Sequence, residues 1–231
     1  GCYGVCYAAA MAKLYGYDFS KSVSRRLRPE DEQSIARTVA SHPAAWFRVG
    51  TMGEPCYDWE LTLEICSWLS RYRAPVIVTK HWTVLAWEQV GALREMRATV
   101  NTSVSALDTP AERAHRIEQH DRLLGSGVNA ILRIVTARFG NTEYGRECSE
   151  IQRALVDRGP FIDTPLRIPS TDQRVMRGDI ITERRADIAR RSTISINDPA
   201  AYTGCCRLCP DQCGVRESRG MREREWQGFL F

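Results

Sequence analysis

Apolar residues in the first half of the chain alternate between two spacings. Short, nearly continuous runs occur at Ala45–Val49, Pro75–Thr79, Ala98–Val104 and Val128–Val135, the last three rich in β-branched residues, and turn or polar residues such as Pro, Gly, Ser and Lys punctuate them. Such runs predict strands covered on both faces. Between them the spacing becomes helical. A helix is expected from Asp58 with a stripe at Leu61, Ile65, Trp68 and Leu69. A second is expected over Trp82–Val90, and a third over Ala111–Leu124, opened by Thr109-Pro110 and closed by Gly125. Strand and helix in strict alternation are the grammar of βα units around a parallel sheet, which a barrel and a doubly wound sheet satisfy equally.

Outside this block the signals are shorter. Helices are expected over Ala8–Tyr15, Gln33–Ser41 and Cys148–Val156, with a basic polar segment at Ser22–Glu32. Phe161–Ile168 reads as an extended segment, Arg184–Arg191 as a charged helix or linker, and Ser192–Ile196 as a last short strand. The chain divides into a βα core over 1–140, a remaining barrel or connecting segment over 141–201, and a Cys-rich tail over 202–231.

Composition narrows the class. An apolar fraction of 43 % supports a packed core. The net charge is only +4, carried almost wholly by arginine, and dispersed basic residues are weak evidence for nucleic acid. No run approaches the ~18 apolar residues of a membrane span, and no signal peptide is visible. Nine cysteines, odd in number and clustered at the two ends, fit a secreted disulfide framework poorly. They read as metal or cluster ligands in a reducing, cytoplasmic setting.

In parallel βα folds, chemistry gathers at the C-terminal ends of the strands. There the sequence places Met52-Gly53-Glu54-Pro55, Thr79-Lys80-His81, the trio Asn101, Ser103 and Ser105, and Arg133 with Thr136. Ser103 and Ser105 alternate with Val104 and so share a face. Arg133 within an apolar strand needs an anion or acceptor, or else an internal salt bridge. Glu54 serves either a ligand or the start of the next helix. Lys80 is a mouth residue or a solvated strand end, and His81 reads as a packing or solvent-facing residue. Cys66 and Cys148 read as structural, Cys56 lies nearer the expected mouth, and Trp82 and Trp87 read as core.

A Cys loop ending Cys6-Tyr7-Ala8, a helix, and then a strand ending in Gly53-Glu54-Pro55 resemble the radical S-adenosylmethionine (SAM) superfamily. The resemblance runs over residues 2–140, and the Thr79-Lys80 strand end is similar to the spore photolyase-like branch. It implies a partial (βα)6 TIM-like barrel with a Cys-rich C-terminal extension. It also implies a [4Fe–4S] cluster held by Cys2 and Cys6, and SAM held by Gly53, Glu54, Ser103, Ser105 and Arg133. In such enzymes three thiolates leave one iron open for SAM, the cluster delivers an electron, and a 5′-deoxyadenosyl radical abstracts hydrogen from substrate. A reductase or flavodoxin-type electron donor follows as partner. No catalytic side chain is assigned, with Lys80 and Cys56 the weak candidates.

The chain departs from the family pattern Cys-x3-Cys-x2-Cys. Cys2 and Cys6 have the first spacing, but position 9 is Ala. Read instead with Cys6 last, Cys2 lies one residue too far away, and the first ligand and first strand are expected upstream of Gly1. A degenerate domain, or a third ligand from elsewhere, are the other readings. In the tail, Cys205, Cys206, Cys209 and Cys213 have ligand-like density and suit a second Fe–S cluster or zinc. Two rival functions stand beside this one: a non-enzymatic zinc-binding scaffold, and a βα-barrel enzyme using Lys80 and Glu54 as acid–base groups. Nucleic acid, peptide and small metabolite are equally open as substrates.

Overall fold

The computed structural model describes residues 28–41, 46–50, 53–159, 161–168 and 171–181, besides Gly16 and the backbone of 192–194 and 201–202. Five strands form a parallel sheet: β1 (Trp46–Val49), β2 (Ala74–Thr79), β3 (Thr99–Ser105), β4 (Asn129–Thr136) and β6 (Phe161–Ile168). β8 (Ser192–Ile194) pairs antiparallel with the end of β6, and β9 (Ala201–Tyr202) pairs parallel with its start. β5 (Arg138–Phe139) and β7 (Ile180–Ile181) make a separate antiparallel ribbon.

The strand order β1-β2-β3-β4-β6 follows the sequence without reversal. A doubly wound sheet reverses direction at a switch point, and this run of five has none. Successive right-handed crossovers in one direction place their helices on one face of the sheet. The core confirms that placement. Val49, Ile77 and Val100 pack with Cys66 of α2 (Trp59–Ser70), Leu93 of α3 (Trp87–Glu95) and Leu123 of α4 (Pro110–Gly125). Leu132, Ile134 and Phe161 pack with Ile117 of α4 and Leu155 of α5 (Glu143–Val156). The alternate residues Arg48, Val76, Asn101, Arg133 and Thr164 therefore lie on the opposite face.

Several expectations shift. The expected helix at 82–90 spans Trp87–Glu95 instead. His81 takes a left-handed backbone (φ 49°), and residues 81–86 run as a connector until Gln89 closes the helix start by accepting from the Ala86 N–H at 2.8 Å. Ala86 carries no side-chain cap, so this boundary left no conventional mark. The first described helix, α1 (Pro29–Ser41), begins four residues before the expected Gln33. Pro29 occupies its first turn, and Asp31 accepts from the Arg28 N–H. Helix α5 begins at Glu143, five residues before expectation, with Thr142 as its cap.

The deepest face of α2 is Trp59, Thr62, Cys66 and Leu69, and the expected Leu61–Ile65–Trp68 stripe lies on its flank. Thr62 can be buried because its hydroxyl donates to the Pro55 carbonyl at 2.8 Å. Phe161–Ile168 is a full partner in the parallel sheet, so the sheet continues past residue 140. The expected Ala8–Tyr15 helix lies outside the described residues.

Candidate functional site

The loops after β1 and β2 are fastened together by one carboxylate. Glu54 Oε1 accepts from the Thr79 hydroxyl at 2.5 Å, from the Lys80 N–H at 3.1 Å and from the Cys56 N–H at 3.4 Å. Oε2 accepts from the same Lys80 N–H at 3.2 Å. The Thr79 hydroxyl in turn accepts from the His81 N–H. Two further bonds cross the same gap: the Trp82 N–H donates to Cys56 Sγ, and Thr83 Oγ1 donates to the Cys56 carbonyl. Gly50 opens this loop at φ 88°, and a Cβ there would stand 2.4 Å from the Pro55 ring and 3.0 Å from the Val78 carbonyl. Glu54 thus caps the short 3-10 helix Pro55–Tyr57, as one sequence reading had it, and also braces the two strand ends.

On the face opposite the helices, strand register sets the neighbours. Ser103 is level with Arg133 and Ile162, while the level pair Thr79 and Thr102 belongs to the helix face. Lys80 follows Thr79 just past the end of β2. Arg133 reaches to both sides. Nη1 donates to Thr164 Oγ1 at 2.9 Å on β6, and Nη2 donates to Asn101 Oδ1 at 3.3 Å on β3. Both of these oxygens are neutral. Ser103 shares the face and is 8 % exposed. Ser105 is committed elsewhere: its hydroxyl donates to the Val135 carbonyl and accepts from the Leu107 N–H.

A second polar group lies behind the strand ends. His81 is fully buried against Trp59, with ring centroids 5.7 Å apart. Neither ring nitrogen has a hydrogen-bond partner among the described residues. Burial pushes its pKa down to about 3, with His115, His120 and Arg116 of α4 adding to the effect. His81 is therefore a neutral imidazole. Nearby, Arg116 and Asp108 form an ion pair at 2.6 Å, with both side chains 1 % exposed. Asp108 Oδ2 also accepts from the Ser105 N–H, which ties the end of β3 to α4.

The sequence-predicted residues therefore separate. Glu54, Lys80, Ser103 and Arg133 gather at the C-terminal ends of β1–β4, and Gly53 has open space where a Cβ would be. Cys56 and Cys66 are core residues. Burial raises the Cys56 thiol to about 11 and the Cys66 thiol to about 12, so neither is a ready thiolate. Trp82 and Trp87 overturn the core reading. Trp82 packs edge-on against exposed Tyr57, and Trp87 is 66 % exposed beneath the Arg122 guanidinium at 4.1 Å. Each sits where the chain is a connector or a helix start rather than on an inward helical stripe. Cys2, Cys6, Cys205, Cys206, Cys209 and Cys213 lie outside the described residues. Among the described residues no group of three or more His, Cys, Asp and Glu side chains is placed to hold a metal. Thr164 was missed because it lies beyond the recognised βα block. Its only sequence signal is a polar residue within an extended run.

No protein-family model matches the chain, and no curated protein is detectably similar to it. Among the described residues no helix is long and apolar enough to cross a membrane.

Proposed function

We propose that this chain is a radical SAM enzyme built on a partial (βα)6 barrel, acting on a substrate not yet identified. The observation that carries the reading is the unreversed strand order together with the row of Ser103 and Arg133 on the face opposite the helices. A sheet wound in one direction can curl that face inward, which turns the row into the rim of a chamber.

The side chains fit the proposed ligand in part. Gly53 leaves its backbone approachable, and Arg133 and Ser103 offer donors to a carboxylate or ribose. The Oε2 atom of Glu54 accepts a single bond among the described residues, which leaves a lone pair for an ammonium group. The same carboxylate is held rigidly by Thr79 and Lys80, so it would meet that group without reorganising. Ser105 fits less well, since both its bonds go to backbone. Cys2 and Cys6 would hold the [4Fe–4S] cluster, and the four tail cysteines a second cluster or zinc. When bound, the cluster supplies the electron that cleaves SAM and so starts hydrogen abstraction from substrate.

The protein's own contribution is to orient. The Glu54 clamp holds the loop after β1 against the end of β2, and the Asp108–Arg116 pair holds the end of β3 on α4. The test is anaerobic reconstitution with iron and sulfide, followed by assay of 5′-deoxyadenosine after reduction in the presence of SAM. Iron-dependent product that is lost in Cys6→Ala is the expected result. Stoichiometric zinc without iron and no product would overturn the proposal and favour the zinc-scaffold reading.

A further inference from the structure

Residues 81–87 join β2 to α3 and carry no carboxylate, lysine or arginine. Trp82, Val84 and Trp87 are exposed, and two buried side chains, His81 and Leu85, anchor the segment. The anchors differ in kind. Leu85 packs in the apolar core with Ile77, Val90 and Leu93, and its carbonyl accepts from Arg122 Nη1 at 2.6 Å. His81 stands at a left-handed turn (φ 49°) with its ring against Trp59. Neither ring nitrogen has a hydrogen-bond partner among the described residues. A neutral imidazole carries one N–H donor and one lone pair, so this anchor holds by packing while both polar atoms go unanswered. Three bonds fasten the chain just beyond it. The His81 N–H donates to Thr79 Oγ1 at 3.0 Å, the Trp82 N–H to Cys56 Sγ at 3.1 Å, and Thr83 Oγ1 to the Cys56 carbonyl at 2.7 Å.

The surroundings of the ring oppose a proton. From α4, His115, Arg116 and His120 act on it, and all three are basic. The acids beside these groups are engaged: Asp108 lies 2.6 Å from Arg116, Glu112 lies 3.9 Å from the same guanidinium, and Asp121 pairs with Arg158. From α2 comes the uncharged Trp59, while Asp58 caps that helix by accepting from the Leu61 N–H. From the loop after β1 come Glu54, bonded to Thr79 and the Lys80 N–H, and the Cys56 thiol, which burial keeps protonated. An imidazolium is therefore tolerated only once the ring has left this site. We propose that His81–Val84 is an acid-released strap, which opens locally about Leu85 and breaks the three bonds that tie it to Thr79 and Cys56. Only the open strap takes the proton readily, so acid draws the population toward it by mass action. Burial holds the closed-state pKa at about 3 instead of 6.5, so the closed strap loses ground as pH falls below 6.5. The inference stands whatever the strand ends bind.

Amide hydrogen exchange of the full chain, followed residue by residue by NMR between about pH 7.5 and about pH 5, tests it. After correction for the intrinsic rate, protection of the Trp82 amide is expected to fall about thirtyfold over that descent. Low urea separates local from global opening, because the surface exposed on opening sets the response. Exchange at Trp82 should be independent of low urea, and exchange at Asn101 and Thr102 in the centre of β3 should respond to it. In His81→Asn the turn is kept and the side chain does not titrate, so the pH dependence at Trp82 should vanish. His81→Gly is the second variant should the first not fold, and the wild-type pH and urea responses decide the matter without either. A flat pH profile, a urea response at Trp82 equal to that of β3, or a pH slope retained in a folded His81 variant would each overturn the proposal.

Discussion

Lowering the pH from about 7.5 to about 5 is expected to remove about 2 kcal/mol of stability through His81 alone. The imidazole is wholly buried between the end of β2, Trp59 and α4, and burial takes its pKa from an ordinary 6.5 to about 3. The unfolded chain therefore binds the proton first, and stability falls as pH drops below 6.5. Each pH unit costs about 1.4 kcal/mol until the folded value is reached, for a total of about 5 kcal/mol over the whole interval. Between about pH 7.5 and about pH 5 the integrated loss is about 2 kcal/mol, a sizeable share of a typical domain's stability. His120, also held down by burial, adds in the same direction. Asp172 titrates below this window, because its arginine partner lowers it from an ordinary 3.8. Comparison with His81→Asn isolates the effect, since Asn tolerates the left-handed backbone at this position (φ 49°) and does not titrate. Urea unfolding followed by far-UV circular dichroism would be run on both proteins at about pH 7.5, 6 and 5. The wild type should lose about 2 kcal/mol more than the variant over that descent. Parallel losses in the two proteins would refute the reasoning, whatever the variant's baseline stability.

Asp108→Ala should cost about 3–5 kcal/mol in the same unfolding assay at neutral pH, because it removes the close carboxylate from the buried Arg116 guanidinium, leaving Glu112 at 3.9 Å, and takes the acceptor from the Ser105 N–H; a loss below about 1 kcal/mol, the scale of an exposed pair, would show that the pair is solvated. Gly140→Ala should destabilise at the upper end of the ~1–3 kcal/mol overpacking range or beyond, since the new Cβ would fall 1.8 Å from the Gly178 carbonyl oxygen and neither backbone can yield cheaply; an unchanged melting temperature would contradict the close approach.

The βα alternation was legible because buried parallel strands must be apolar and amphipathic helices must repeat every 3.6 residues, and the strands at 74–79, 99–105 and 129–136 fall within a residue of expectation. The capping signals at Asp58 and Thr109 were readable for the same local reason, each side chain accepting from an N–H three residues on. The strand-end series from Gly53 to Arg133 could also be named, because a strand's end follows from its length. What each member does could not. Glu54 became a brace and Ser105 a backbone partner because β2 reaches Glu54 and β4 reaches Ser105 from positions distant in sequence. Trp82 and Trp87 lie outside the core because His81 turns the chain at a left-handed residue, which nothing local announces. Barrel-type or doubly wound order was likewise undecided by pattern, since both bury the same strands; only pairing separates them, and pairing is a long-range choice. Alternation places Asn101 and Arg133 on the same side of their strands, but the register that sets them 3.3 Å apart and leaves one amide nitrogen unanswered belongs to the tertiary structure.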